Sequence, residues 1–192
     1  MKIAYQGIAG SYSESCAKEH YPDCETISCK TFDECFERAN EDSSIRTIIP
    51  ESNKTTGNIG VEYLIFKYRL NIYAEYFYPI EHNLLVVPGA KMTQITDVYS
   101  HAQALSQSSE FIKKNKLNGN VRADTAGSAM FVSESKDKSK AAIASKLSSK
   151  IYNLEILKSG IQDDSTNVTR FLIMGKDIYQ PEHKNDNYIT SF

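Results

Sequence analysis

The sequence predicts an α/β protein built as two lobes, on three observations. Short apolar runs alternate with stretches of helical period, the pattern of sheets covered by helices. Polar turns rich in Gly, Ser and Thr recur where an apolar run gives way to a helix, at residues 7–14, 50–57 and 124–129. Two β-rich segments, near residues 74–86 and 160–172, lie where the chain would leave one lobe and later return to it.

Each element follows from local pattern. Residues 2–5 read as a strand, 12–19 as a helix and 26–28 as a short strand. Thr31 with Glu34 three positions on resembles a capping box, opening a helix that turns Phe32, Cys35, Phe36 and Ala39 inward. Residues 47–50 read as a strand ended by Pro50, and 59–66 as a helix after Gly57. A long β-rich segment at 71–78 precedes a strand at 84–87, which stops at Pro88-Gly89. The second half continues the alternation, with strand 97–99, one helix 101–114, strand 121–123, helix 125–135, strand 141–144 and a helix to about residue 150. Strands at 155–157 and 168–174 complete the set. The layout puts one lobe at about 1–78 plus 166–176 and the other at about 79–165, with a polar tail over 177–192 broken by Pro181.

Composition narrows the function. The chain has 192 residues, enough for a sizeable core, and a net charge of −2, which gives no nucleic-acid footprint. Its apolar runs are too short to span a bilayer, and Gly7 comes too early for the apolar core of a signal peptide. A cytoplasmic protein with no membrane partner is expected. Cys16, Cys24, Cys29 and Cys35 form no C-x-x-C pair and have no partner His spacing, so they read as free thiols, with no metal and no cofactor.

Four polar clusters and a terminal motif are the candidate chemistry. Gly7 to Glu14 includes Gly10, Ser11 and Ser13 at a helix start, where backbone N–H groups favour an anion; a plain N-cap on a tight turn is the alternative. Asn53 and Lys54 lie between a strand and a helix, where a surface loop is equally possible. Ser100, His101, Gln103 and Gln107 lie at the start of a helix, with Ser100 as its candidate cap and the two glutamines four apart on one face. Thr125 and Ala126 belong to a strand-to-helix turn whose small residues suit either a ligand or close packing. His82, before a strand, reads as structural. Last, Asn167-Val168-Thr169-Arg170-Phe171 sets a hydroxyl and a guanidinium side by side where a polar loop becomes an apolar strand, a place where α/β proteins bind small anions.

In this order the clusters resemble the catalytic domain of prephenate dehydratases. Gly7-Ile8-Ala9-Gly10-Ser11-Tyr12-Ser13 is similar to the family's opening motif, and His82-Asn83-Leu84-Leu85 to its H-x-L-L. Residues 99–105 resemble Y-S-H-P-Q-A-L with Ala102 for Pro, residues 124–129 resemble S-T-A-x-A-A, and residues 167–171 match N-x-T-R-F, the most specific piece. The resemblance, over about residues 2–175, implies a periplasmic-binding-protein type II-like fold with the substrate between the lobes. It also implies conversion of prephenate to phenylpyruvate, and a homodimer. It assigns Thr169 as proton donor, with Ser100 and Gln107 catalytic. The substrate is a dianion, so the helix N-termini, Lys54 and Arg170 are expected to hold its carboxylates, with Gly10, Ser11, Ser13, Asn53, His101, Thr125, Ala126 and Phe171 around it.

Two departures stand out. The family's P-I-E-N-S-x-x-G aligns without gaps to residues 50–57, so that Ser52 falls at the Glu position and Lys54 at the Ser position; only Asn53 of the central three is kept. The tail is also too short for the regulatory ACT domain that family members commonly carry, so feedback control through it is not expected. The changed cluster keeps two alternatives open: a relative of a specialised pathway, such as a non-aromatising prephenate decarboxylase, and a non-catalytic module binding a small carboxylate.

Overall fold

The structure, a computed structural model, describes residues 1–178; the expected tail, 177–192, lies outside the described residues but for its first two positions. The first sheet has the order β2-β1-β3-β11-β5. Strands β1 (Lys2–Gln6), β2 (Glu25–Cys29) and β3 (Ile45–Asn53) are parallel, connected by helices α1 (Tyr12–His20) and α2 (Phe32–Glu41). A short β4 (Gly57–Asn58) folds back on β3, and α3 (Glu62–Tyr68) leads into β5 (Asn71–Pro79). Strand β11 (Val168–Gly175) lies antiparallel between β3 and β5.

The second sheet has the order β10-β6-β9-β7-β8. It comprises β6 (Asn83–Val86), β7 (Asp97–Ser100), β8 (Asn118–Val121), β9 (Lys140–Ala144) and β10 (Glu155–Lys158). Helices α4 (Ala102–Ser106), α5 (Ser109–Lys114), α6 (Thr125–Ser135) and α7 (Lys146–Ile151) connect its strands. The chain passes to this sheet between β5 and β6 and returns between β10 and β11.

Strand β11 is covered on both faces over residues 171–174, which read as a continuous apolar run. Alternation divides its side chains. Phe171 and Ile173 join Ile3, Tyr5 and Ile48 under α1, while Leu172 and Met174 join Ile49, Phe36 and Leu64 under α2 and α3. The second core gathers Leu84, Leu85, Val98 and Ile143 against Ala129 and Val132 of α6. The four cysteines are free and buried, and burial pushes the Cys16 thiol up to about 12, far from a reactive thiolate.

Four expected elements are corrected. The helix over 101–114 is two helices, because the Gln107 carbonyl accepts from the Asp163 N–H at 2.7 Å and leaves the helical ladder, in a serine-rich stretch of modest helix propensity. The helix after Gly57 starts only at Glu62, because Gly57 and Asn58 pair with β3 first. Pro50 does not end β3: it sits at a bulge where the register with β11 skips Glu51, a place that tolerates a missing N–H. The strand expected at 121–123 runs over 118–121, where parallel pairing with β7 sets it; this exposed edge carries too few apolar residues to show a pattern.

Candidate active site

The site starts at the end of β3. Asn53 is buried, and its Oδ1 accepts from the backbone N–H groups of Thr55 and Thr56 at 3.0 and 3.3 Å and from both hydroxyls. Backbone amides can only donate, so this fixes the carboxamide: oxygen toward the loop, nitrogen toward β11. Its Nδ2 donates to Thr169 Oγ1 at 2.8 Å and to Asn167 Oδ1 at 2.9 Å. Antiparallel pairing of β3 with β11 sets Thr169 opposite Asn53 and holds the contact. Because the Thr169 oxygen already accepts a hydrogen bond, its own proton is left to be given.

The network continues into the second sheet. Asn167 Nδ2 donates to Gln107 Oε1 at 3.3 Å, and that oxygen also lies 2.9 Å from His82 Nε2. His82 Nδ1 is 2.7 Å from the Tyr12 hydroxyl. Gln107 and Gln103 share a face of α4 and turn their amide nitrogens to the hydroxyls of Thr55 and Thr56. Between them lies a cavity of about 500 Å³ lined by Thr55, Thr56, Gln103, Gln107, Asn167 and the 162–164 loop. Asp163 and Asp164 on that loop are turned to partners: Asp163 accepts from the Ser109 hydroxyl and the Glu110 N–H, Asp164 from the Thr166 hydroxyl and N–H. Hydrogen bonds from Thr166 hold the Asp164 carboxyl below its usual range.

Other expected residues stand elsewhere. Arg170 points to the opposite face of β11 from Thr169, and its fork is committed to Glu75, at 2.7 and 2.8 Å, and to Glu51 at 3.4 Å. These two carboxylates compete for the guanidinium expected to hold a substrate carboxylate. Phe171 shares the face of Thr169 but is core, edge-on to Tyr78. Ser100 does not cap α4: it is fully buried and gives its proton to the Ile143 carbonyl at 2.6 Å. His101 is the cap, accepting from the Gln103 N–H at 3.3 Å.

The opening loop is satisfied from within the protein. Gly10 donates its N–H to the buried Glu14 carboxylate at 2.7 Å, and its carbonyl accepts from Ser145 and Ser148. Ser11 caps α1 through the Glu14 N–H, and Ser13 is buried in the helix. A Cβ on Gly10 would stand 2.5 Å from Ser148 Oγ, so this glycine allows a close approach between the two halves. Lys54 is exposed, its ammonium bonded to the Thr166 hydroxyl. Thr125 and Ala126 open α6 behind the Asp124 cap. The network thus gathers Asn53, Gln107 and Thr169 from the sequence candidates and adds His82, Tyr12 and Asn167. Of these, His82 reads as structural from the sequence, where its signals are its place before an apolar strand and the resemblance of residues 82–85 to H-x-L-L.

Among the described residues, no group of three His, Cys, Asp or Glu side chains is placed to hold a metal ion, and no helix is long and apolar enough to cross a membrane. Known proteins bear on the rest. The family model described as prephenate dehydratase matches residues 3–178. Arogenate dehydratase 1 of Petunia hybrida is 39% identical over 180 residues, covering 92% of this chain and 42% of its own length. Arogenate dehydratase/prephenate dehydratase 6, chloroplastic, of Arabidopsis thaliana is also 39% identical, over 92% of this chain and 44% of its own length. The chain therefore spans less than half of these curated relatives. Among solved structures, GqqA, described as a novel type of quorum quenching acylase, superposes with a TM-score of 0.87 at 29% identity, covering 94% of this chain and 66% of that one. The prephenate dehydratase of Arthrobacter aurescens in complex with L-Phe superposes with a TM-score of 0.85 at 22% identity, covering 96% and 63%, and shares the fold.

Proposed function

The chain belongs to the prephenate dehydratase family, and from that premise we propose that it converts prephenate to phenylpyruvate in phenylalanine biosynthesis, as a carbon–oxygen lyase. The observation that carries the reading is the polarity of the Asn53–Thr169 contact, which leaves the Thr169 proton available. In the reaction the bond from the ring to its carboxylate breaks, releasing carbon dioxide. The electron pair moves through the ring and expels the ring hydroxyl. Thr169 gives that oxygen its proton, so that water leaves, and solvent restores the threonine proton. The Asn53 N–H lowers the cost of negative charge growing on Thr169 Oγ1. Gln107 and Gln103 supply amide donors to the cavity, and exposed Lys54, next in sequence to Thr55 of its lining, supplies a positive charge. Aromatisation drives the reaction, so holding the ring in place is a large part of the catalysis.

The relatives' names include arogenate, which bears an amino group where prephenate bears a keto oxygen; the same ring chemistry serves either. The reading extends to a homodimer, on the family resemblance, and to a reducing compartment, taken as the cytoplasm, on the four free thiols.

Product analysis with prephenate near neutral pH tests it, with Thr169→Ala alongside. The wild type should give phenylpyruvate, and Thr169→Ala should lose about 10²–10⁴ in kcat with KM much less affected. Undiminished turnover by Thr169→Ala would contradict the assigned donor. A non-aromatic product would move the chain to a specialised pathway, and binding without turnover would make it a carboxylate-binding module.

A further inference from the structure

We infer that His82 is a positioning residue of this site, which in its Nε2–H tautomer holds the Gln107 carboxamide with its nitrogen toward the cavity. The inference rests on the dehydratase reading and deepens it.

The argument is a chain of hydrogen bonds with a fixed start. The Thr55 and Thr56 amides dictate that Asn53 presents its oxygen to the loop, and therefore its nitrogen to Asn167 Oδ1. Asn167 then has only its nitrogen to offer, 3.3 Å from Gln107 Oε1. Gln107 must present oxygen on that side, and His82 Nε2 meets the same oxygen at 2.9 Å. A bare ring nitrogen there would set two acceptors against each other, so Nε2 carries the proton. Nδ1 keeps its lone pair and takes the single Tyr12 hydroxyl proton at 2.7 Å, the shorter of two contacts open to it, the Glu81 carbonyl standing 3.1 Å from the same hydroxyl. The ring is 2% exposed, and burial holds its pKa below the ordinary histidine value, which keeps it neutral.

The consequence falls on the substrate side. With its oxygen engaged by both Asn167 and His82, Gln107 directs its Nε2 to Thr55 Oγ1 at the cavity wall. A site for a dianion needs donors on that wall. Without His82 the Gln107 carboxamide can turn over, placing a carbonyl oxygen, an acceptor, where the substrate brings its own oxygens.

Two substitutions separate this role from simple packing. Gln reaches the place of Nε2 with an N–H donor, whereas Asn reaches only the place of Nδ1. His82→Asn should lower kcat/KM for prephenate about ten- to hundredfold, the worth of one hydrogen bond to a charged group. His82→Gln should recover most of it, with the melting temperatures of the two variants close together. Equal losses in both variants, or wild-type kcat/KM in His82→Asn, would overturn the role. Histidine ¹⁵N NMR of the unliganded wild type reads the tautomer without turnover: Nε2–H is expected, and Nδ1–H overturns the inference. If the wild type makes no phenylpyruvate, the dehydratase reading and the positioning role fall together. The NMR spectrum then decides separately whether the hydrogen-bond chain was read correctly.

Discussion

At the scale of the residue, one carboxamide decides the direction of a proton. Asn53 is held by two backbone amides and donates to Thr169, so the threonine oxygen is an acceptor and its own proton is left to be given. Asn53→Asp reverses that. A carboxylate still accepts from the Thr55 and Thr56 amides, so the loop keeps its shape, but it also accepts the Thr169 proton. We expect Asn53→Asp to lose about 10²–10⁴ in kcat, as much as Thr169→Ala, and to lower the melting temperature, because a buried carboxylate oxygen then faces Asn167 Oδ1, to which the amide had donated. Steady-state kinetics and a thermal melt check it, and wild-type kcat in Asn53→Asp would show that Thr169 does not supply the proton. Asn53, Gln107 and Thr169, which the structure joins in one network, already stood out in the sequence as members of polar motifs. The commitment of Arg170 to Glu51 and Glu75 did not. The alternation of β11 puts the guanidinium on the face away from Thr169, and the bulge at Glu51, which brings the carboxylate within 3.4 Å, exists only once β3 and β11 are paired.

At the scale of the element, the break between α4 and α5 aims the second donor. Helical periodicity runs through residues 101–114 without interruption, which is why the pattern predicts a single helix. The break comes from the 162–164 loop, more than fifty residues on: the Asp163 N–H takes the Gln107 carbonyl, and the Asp163 carboxylate takes the Glu110 N–H at 3.1 Å. By contrast α6 starts at Thr125, where the sequence places it, because its Asp124 cap is local, accepting from the Gly127 N–H at 2.6 Å. At the break Ser108 is fully buried, and its hydroxyl finds no partner among the described residues. A buried unpartnered hydroxyl costs about 1–3 kcal/mol, so Ser108→Ala should stabilise the protein by about 1 kcal/mol or more, read as a rise in the denaturation midpoint. A fall would mean that Ser108 has a partner, such as a buried water, that Ala cannot replace.

At the scale of the whole molecule, the hydrogen-bond chain is also a seam between the two halves. Tyr12 belongs to α1 under the first sheet, Gln107 follows α4 of the second, and His82 lies in the segment that crosses between the sheets. Beside it Tyr152 donates to the Ala9 carbonyl at 2.7 Å, and Ser145 and Ser148 both donate to Gly10. The sequence indicated two crossings but not this seam, because its partners lie as far as 143 positions apart and no local pattern records the pairing. The seam should respond to acid through His82. Its folded pKa is depressed by burial, so below the ordinary histidine value near 6.5 the unfolded chain takes up a proton that the folded chain refuses. Stability is therefore full above about pH 6.5 and is lost as pH falls below it, toward the depressed folded pKa. Below that pKa, protonated His82 also places an N–H against the Tyr12 oxygen in place of the lone pair that had accepted from it. His82→Gln has no such proton to refuse, so its melting temperature should fall less than that of the wild type between pH 7.5 and pH 5.5. Parallel curves for the two proteins would mean that His82 does not couple the halves to pH.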